Sequence, residues 1–193
     1  ASDYAYYAQS KKFVKTGGGT FKPGSRFGWT GANAIGSIEV REGLLNATAT
    51  PRCAGEIKIC SGAEMNSVGF TLSETSDPPV FSELNVEAGG VFNGSGKSFV
   101  LTSLSGAGLV TNMNELVMTM NESGKMFNGR IFANALTISN ATYTVAGANW
   151  TVGAADALKN IASWRFVNDA GVPMEVRFAS GIGTFQVGAT YPT

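Results

Sequence analysis

The stretch Phe13-Val-Lys-Thr-Gly-Gly-Gly-Thr-Phe-Lys22 decides the fold, together with its continuation through Gly28-Trp-Thr-Gly31 and Ser37-Ile-Glu-Val-Arg-Glu-Gly-Leu-Leu45. Apolar and polar residues alternate inside each short run, and glycines separate the runs. In an extended chain, residues i and i+2 share one face, so each run reads as a strand with one apolar side. Glycine takes the positive φ that a sharp corner between strands demands. The phrase then recurs. Ile38-Glu-Val40 leads to Gly43, Ile57-Lys-Ile59 to Gly62 and Leu84-Asn-Val86 to Gly89. Apolar residues follow each glycine: Leu44 and Leu45, Met65, then Val91 and Phe92.

The interval is 19 residues from Gly43 to Gly62 and 27 from Gly62 to Gly89. Further phrases follow at Phe99-Val-Leu101, Leu116-Val-Met118, Leu136-Thr-Ile138, Trp150-Thr-Val152, Trp164-Arg-Phe166 and Val176-Arg-Phe178. Imperfect periods near 20 residues belong to a solenoid, in which each repeat is one coil and loop insertions stretch some coils. The expected class is therefore all-β, a parallel β-helix in one domain. A β-sandwich is the alternative, but it favours two-residue Asn-Gly or Asp-Gly hairpins, and only Asn93-Gly94 and Asn128-Gly129 are of that kind. Residues 1–12 read as an N-terminal cap or edge segment and 13–193 as the solenoid. The polar, proline-bearing stretch 72–81 reads as a loop insertion, and Ala154–Ala162 as a short helix.

Composition sets the limits of function. The chain has 193 residues, 25 of them glycine, and its 14 basic residues balance 14 acidic ones. No global field recruits nucleic acid or anionic membranes, and no apolar run approaches the roughly 20 residues of a membrane span. Histidine is absent. That removes histidine relays, histidine metal ligands and the usual near-neutral proton shuttle. No cofactor or metal is expected. Cys53 and Cys60 have the wrong spacing for a paired zinc ligand. They are expected to close a small surface loop as a disulfide, with two buried free thiols as the alternative.

Phe13–Phe21, Trp29-Thr-Gly31 and Ile38-Glu-Val-Arg-Glu-Gly-Leu44 resemble the passenger-associated repeat of autotransporter-type surface proteins. That phrase runs apolar-x-Lys-x-Gly-x-Gly-Thr-apolar, then aromatic-Thr-Gly, then apolar-x-Val-x-x-Gly-x-Leu. Leu84–Gly89, Ser103–Asn112 and Met126–Ile131 resemble a second signature from passenger-like bacterial proteins. The resemblance covers roughly half the chain. It implies a right-handed parallel β-helix at the cell surface or beyond, its signal peptide already removed, and a cysteine pair suits that setting.

Candidate chemistry is thin. Glycoside hydrolysis needs two carboxylates set across a bond, and Glu39, Glu42 and Glu56 could stack between coils, although a solvated face is the expected reading. Gly94-Ser-Gly-Lys-Ser98 lacks the first glycine of a phosphate-binding loop, since Val91 stands there. Lys11, Lys12, Lys15, Lys22 and Arg26 interleave with Phe13, Phe21 and Phe27; alternation assigns the rings to the core and the lysines to solvent. Glu74, Asp77, Glu83 and Glu87 form an acidic counterpart. Asn-x-Ser/Thr triplets begin at Asn46, Asn93, Asn121, Asn140 and Asn149 and read as turns. The expected function is non-enzymatic: a structural, adhesive or fibre-forming surface module. Its ends would self-associate through Tyr4, Tyr6 and Tyr7 at one end and Phe185 and Val187 at the other. Surface glycans are a further candidate partner, and a carbohydrate-binding or polysaccharide-degrading module is the runner-up.

Overall fold

The computed structural model describes residues 11–23, 35–47, 53, 55–67, 80–118, 125–139, 150–152, 161–167, 174–178, 181–185 and 190–192. Within them the chain is a parallel β-solenoid. Each coil starts on a first face, carried early on by β1 (Lys12–Lys15), β3 (Ser37–Val40), β5 (Glu56–Ile59) and β7 (Val80–Val86). It then turns a corner onto a second face, carried by β2 (Thr20–Phe21), β4 (Leu44–Ala47) and β6 (Glu64–Ser67). From β8 (Val91–Gly106) onward, long strands bend around the coil. β8, β9 (Leu109–Met118) and β11 (Arg130–Ser139) each begin on the second face and continue onto a third, and β8 runs on to the first face beside β7. β10 (Lys125–Phe127), β12 (Trp150–Val152) and β14 (Met174–Phe178) extend the first face, and β13 (Ile161–Val167) extends the third.

Register makes the repeat explicit. Phe13, Ile38, Ile57, Leu84 and Leu104 form one column on the first face, so successive coils close after 25, 19, 27 and 20 residues. The expected insertion at 72–81 falls within the span of the 27-residue coil. Of that insertion only Val80 and Phe81 are described, and they open β7. A second column holds Lys15, Val40, Ile59, Val86, Gly106 and Phe127. On the second face, Phe21, Leu45, Met65, Phe92, Val110 and Ile131 stack in register. These columns are the core: Ile57, Ile59, Leu45, Met65, Leu84, Val86 and Phe92 are all fully buried. Phe92 meets Phe99 of the third face edge-on, with ring centroids 5.3 Å apart, which locks two faces together across the interior.

The corners explain the glycines. Gly43, Gly62 and Gly89, the three marked by the sequence phrase, all have positive φ. Gly43 is doubly constrained, because a Cβ there would lie 2.5 Å from the Gly19 carbonyl oxygen and 2.7 Å from that of Gly17. Coils stack so closely at this corner that backbone rests on backbone.

The two ends differ. At the N-terminal end, β1 pairs only with β3 and β2 only with β4 among the described residues. At the C-terminal end, β15 (Gly181–Phe185) folds back antiparallel on β14, and β16 (Thr190–Pro192) runs antiparallel to β13. The helix expected over Ala154–Ala162 falls mostly outside the described residues, and its last two residues, Ile161 and Ala162, belong to β13.

Candidate functional site

The outward side of the first face holds the richest set of ionisable groups. It is built by the same register that builds the core. Aligning Ser37-Ile-Glu-Val40, Glu56-Ile-Lys-Ile59 and Glu83-Leu-Asn-Val86 places Ser37, Glu56 and Glu83 in one outward column. Glu39, Lys58 and Asn85 form the next, and Ser105 continues it. The carboxylate pair that comes together is therefore Glu56 with Glu83, not Glu39 with Glu56. Glu39 lies one step past Ile38, whereas Glu56 lies one step before Ile57, so the two occupy different columns.

Donors from neighbouring positions and coils engage each of these carboxylates. Glu39 accepts Arg41 Nε at 3.0 Å and Arg41 Nη2 at 3.3 Å, and pairs with the Lys12 ammonium from the preceding coil. Those two cations, Arg41 first, hold its carboxyl down from an ordinary 4.5 to about 2. Glu87 pairs with Lys58 at 2.7 Å and accepts the Ser61 backbone N–H at 3.2 Å, so its carboxyl is also held below the usual range, chiefly by Lys58. Asn85 Nδ2 donates to Glu56 Oε1 at 3.0 Å, and Ser105 Oγ donates to Glu83 Oε1 at 2.7 Å. The face is a ladder of ties between coils.

The cysteines do not form the expected disulfide. Cys53 is buried beside Ile35, while Cys60 lies just beyond β5, half-buried near Glu39. They bracket the four-residue strand β5. At about 3.3 Å per residue, that strand carries them well past the roughly 7 Å Cα limit for a bridge. Burial pushes the Cys53 thiol up to about 11 and raises that of Cys60 as well. Both are free thiols.

Lys15 also departs from expectation. Lys11, Lys12 and Lys22 are exposed as expected, but Lys15 shares the inward side of β1 with Phe13 and is only 6% exposed. Its ammonium donates to the carbonyls of Thr16, at 3.0 Å, of Gly17, and of Glu42 in the next coil, at 2.9 Å. Glu42 returns the tie by accepting the Gly17 N–H at 2.9 Å. A buried ammonium thus has its donors satisfied by backbone oxygens.

The second face carries a ladder that the sequence reading assigned to turns. Asn46 and Asn93 stand on strands β4 and β8, and Asn46, Asn66 and Asn93 stack in register. Asn93 also serves a bend: its Oδ1 accepts the Ser95 N–H at 2.9 Å and Asn112 Nδ2 at 3.1 Å. Ser95 and Gly96 take positive φ there, so Gly94–Ser98 is a bend within β8 rather than a phosphate cradle. Aligning the three apolar phrases would have disclosed the first-face ladder, because its register follows directly from them.

Of the residues expected at the ends, Phe185 lies on β15 opposite Met174; Tyr4, Tyr6, Tyr7 and Val187 fall outside the described residues. So do Arg26, Phe27, Glu74 and Asp77. No group of three or more potential metal-binding side chains occurs among the described residues. Compared with protein-family models, curated proteins and solved structures, the chain matches none.

Proposed function

We propose that this chain is a non-catalytic β-solenoid that serves as a structural or adhesive module outside the cell. The supporting observation is how the carboxylates of the first face are used. Glu87, Glu56 and Glu83 each accept a hydrogen bond from a neighbouring coil, and Glu39 pairs with Lys12 of the preceding coil. The shifted carboxyls, Glu39 and Glu87, move down, away from the raised value a general acid requires. Groups committed in this way hold a rod together. Placement outside the cell rests on the resemblance of residues 13–45 and 84–131 to passenger repeats.

One observation favours a second reading, a polysaccharide-degrading module. Glu56 and Glu83 are in register on adjacent strands, at a spacing of about 4.8 Å. Two neighbouring carboxylates are the chemical requirement of a retaining glycosidase. One experiment separates the readings: the chain is incubated with a panel of polysaccharides, and new reducing ends are measured. The structural reading expects none above the buffer control. Turnover that disappears in Glu56→Gln or Glu83→Gln would replace it with the second.

A further inference from the structure

We propose that a furrow along one corner of the solenoid binds an acidic polysaccharide, seating a uronate sugar with its ring on Phe132 and its carboxylate on Arg130. The furrow is made by what three successive corners lack. Residues 89–91, 107–109 and 128–130 turn from the first face onto the second in consecutive coils, and each turn carries a glycine where the coils touch. A Cβ at Gly108 would collide with the carbonyls of Glu87 and Gly90, and one at Gly129 with the carbonyl of Gly108. With backbone stacked on backbone and no side chain between, the three corners line a cavity of about 430 Å³. That is within the range of small-ligand sites.

Register supplies the groups beside it. Val91, Leu109 and Arg130 stand in one outward column of the second face. Val91 and Leu109 are half-buried and form an apolar wall, whereas Arg130 is exposed. Phe132 follows Arg130 on the same side of β11, roughly 7 Å further along, and is 37% exposed. An exposed guanidinium and an exposed aromatic ring therefore stand side by side at the lip of the furrow. Among the described residues that line it, none is acidic.

The chemistry of the furrow selects a sugar over a peptide. The N–H groups of Val91, Leu109 and Arg130 donate to the carbonyls of Ala63, Gly90 and Gly108, each at 3.0 Å. Those of Gly90 and Gly108 donate to Glu87 and Val86 at 2.8 Å. With these groups engaged between coils, an extended peptide finds no strand edge to join. What the furrow presents instead is a planar ring for the apolar face of a pyranose and a fork of N–H donors for its carboxylate. The site lies on the second face, apart from the Glu56 and Glu83 pair of the first. The inference rests on the adhesive reading above, to which it adds a class of ligand.

The test uses the full chain and a fluorescein-labelled oligogalacturonate, with its methyl ester and labelled polyglutamate as controls, read by fluorescence polarisation. Binding of the oligogalacturonate alone is expected, weakened about tenfold or more in Arg130→Gln and in Phe132→Ala. Phe132→Tyr keeps the ring and should keep the affinity. Lys22→Gln removes an exposed charge on another coil and should leave binding unchanged. Arg130 and Phe132 are exposed, so their replacement leaves the core intact, which circular dichroism checks. Equal binding of polyglutamate or of the methyl ester, or full affinity in Phe132→Ala, would overturn the site. Absence of binding would overturn it too, while leaving the structural reading in place. New reducing ends alongside binding would instead keep the site and overturn the non-catalytic reading.

Discussion

Residues 15, 40, 59 and 86 occupy the same position on four successive coils, yet three are aliphatic and the first is a lysine. The difference separates the interior coils from the first described coil. Val40, Ile59 and Val86 are covered from both sides and fully buried, so only an apolar side chain is tolerated there. Among the described residues Lys15 has a neighbouring coil on one side, and the corner beside it offers carbonyl oxygens from Thr16, Gly17 and Glu42. The first described coil therefore buries an amphipathic stem and still satisfies its charged tip. An inward-pointing charge is also one of the devices that keep a strand edge from indiscriminate pairing.

The contrast breaks most visibly if the lysine is moved inward. Ile59→Lys places an ammonium in the dry column with both neighbouring coils in place, and should cost about 3–5 kcal/mol or more. Against the marginal stability of a domain, far-ultraviolet circular dichroism should show unfolding or a urea midpoint shifted sharply down. The corner glycines give the next largest effect. Gly17→Ala and Gly43→Ala both force positive φ on a side chain, at about 1–2 kcal/mol. Only Gly43 rests on a coil beneath it, whereas a Cβ at Gly17 meets nothing within 4 Å. Gly43→Ala should therefore lower the urea midpoint clearly further than Gly17→Ala.

Lys15→Met keeps the stem and removes three hydrogen bonds. Because the change removes hydrogen bonds without stranding a buried charge, the expected loss is about 1–2 kcal/mol in urea unfolding, below that of Ile59→Lys. The smallest effect sharpens the ladder. Glu39 has its folded value depressed, so its contribution is complete above pH 4.5 and fades as pH falls toward about 2. The difference in urea midpoint between the native chain and Glu39→Gln should be constant above about pH 5 and shrink below it. A difference that grew on acidification would contradict the assignment.

The fold was largely legible because alternation and corner glycines are local signals. Ile38 with Val40, Ile57 with Ile59 and Leu84 with Val86 point inward, and Gly43, Gly62 and Gly89 turn the corners as the pattern implies. Contacts between coils were harder to read, since they depend on register. Glu56 faces Glu83 because their phrases align, a relation that sequence separation hides. The cysteines misled for the converse reason: seven positions apart suggests a small loop, but a strand stretches that interval. Lys15 was misjudged because alternation puts it on the side of Phe13, where a charge is not expected, and the carbonyls that accept its ammonium are not visible in the run itself. Only the carbonyls gathered at the corner make that side habitable for an ammonium.

The central claim is that successive coils stack in parallel with the stated register, and one cross-link tests it directly. Arg41 and Cys60 lie one step past the Val40–Ile59 pair, with Cys60 N–H donating to the Val40 carbonyl at 2.9 Å. Parallel neighbours about 4.8 Å apart fall inside the Cα window for a disulfide. Mild oxidation of Arg41→Cys, followed by mass spectrometry of the unreduced peptides, should find residue 41 joined to Cys60 while Cys53 stays free, and the native chain should keep two free thiols. A native Cys53–Cys60 bridge, or failure of residue 41 to join Cys60, would contradict the coil register on which everything above depends.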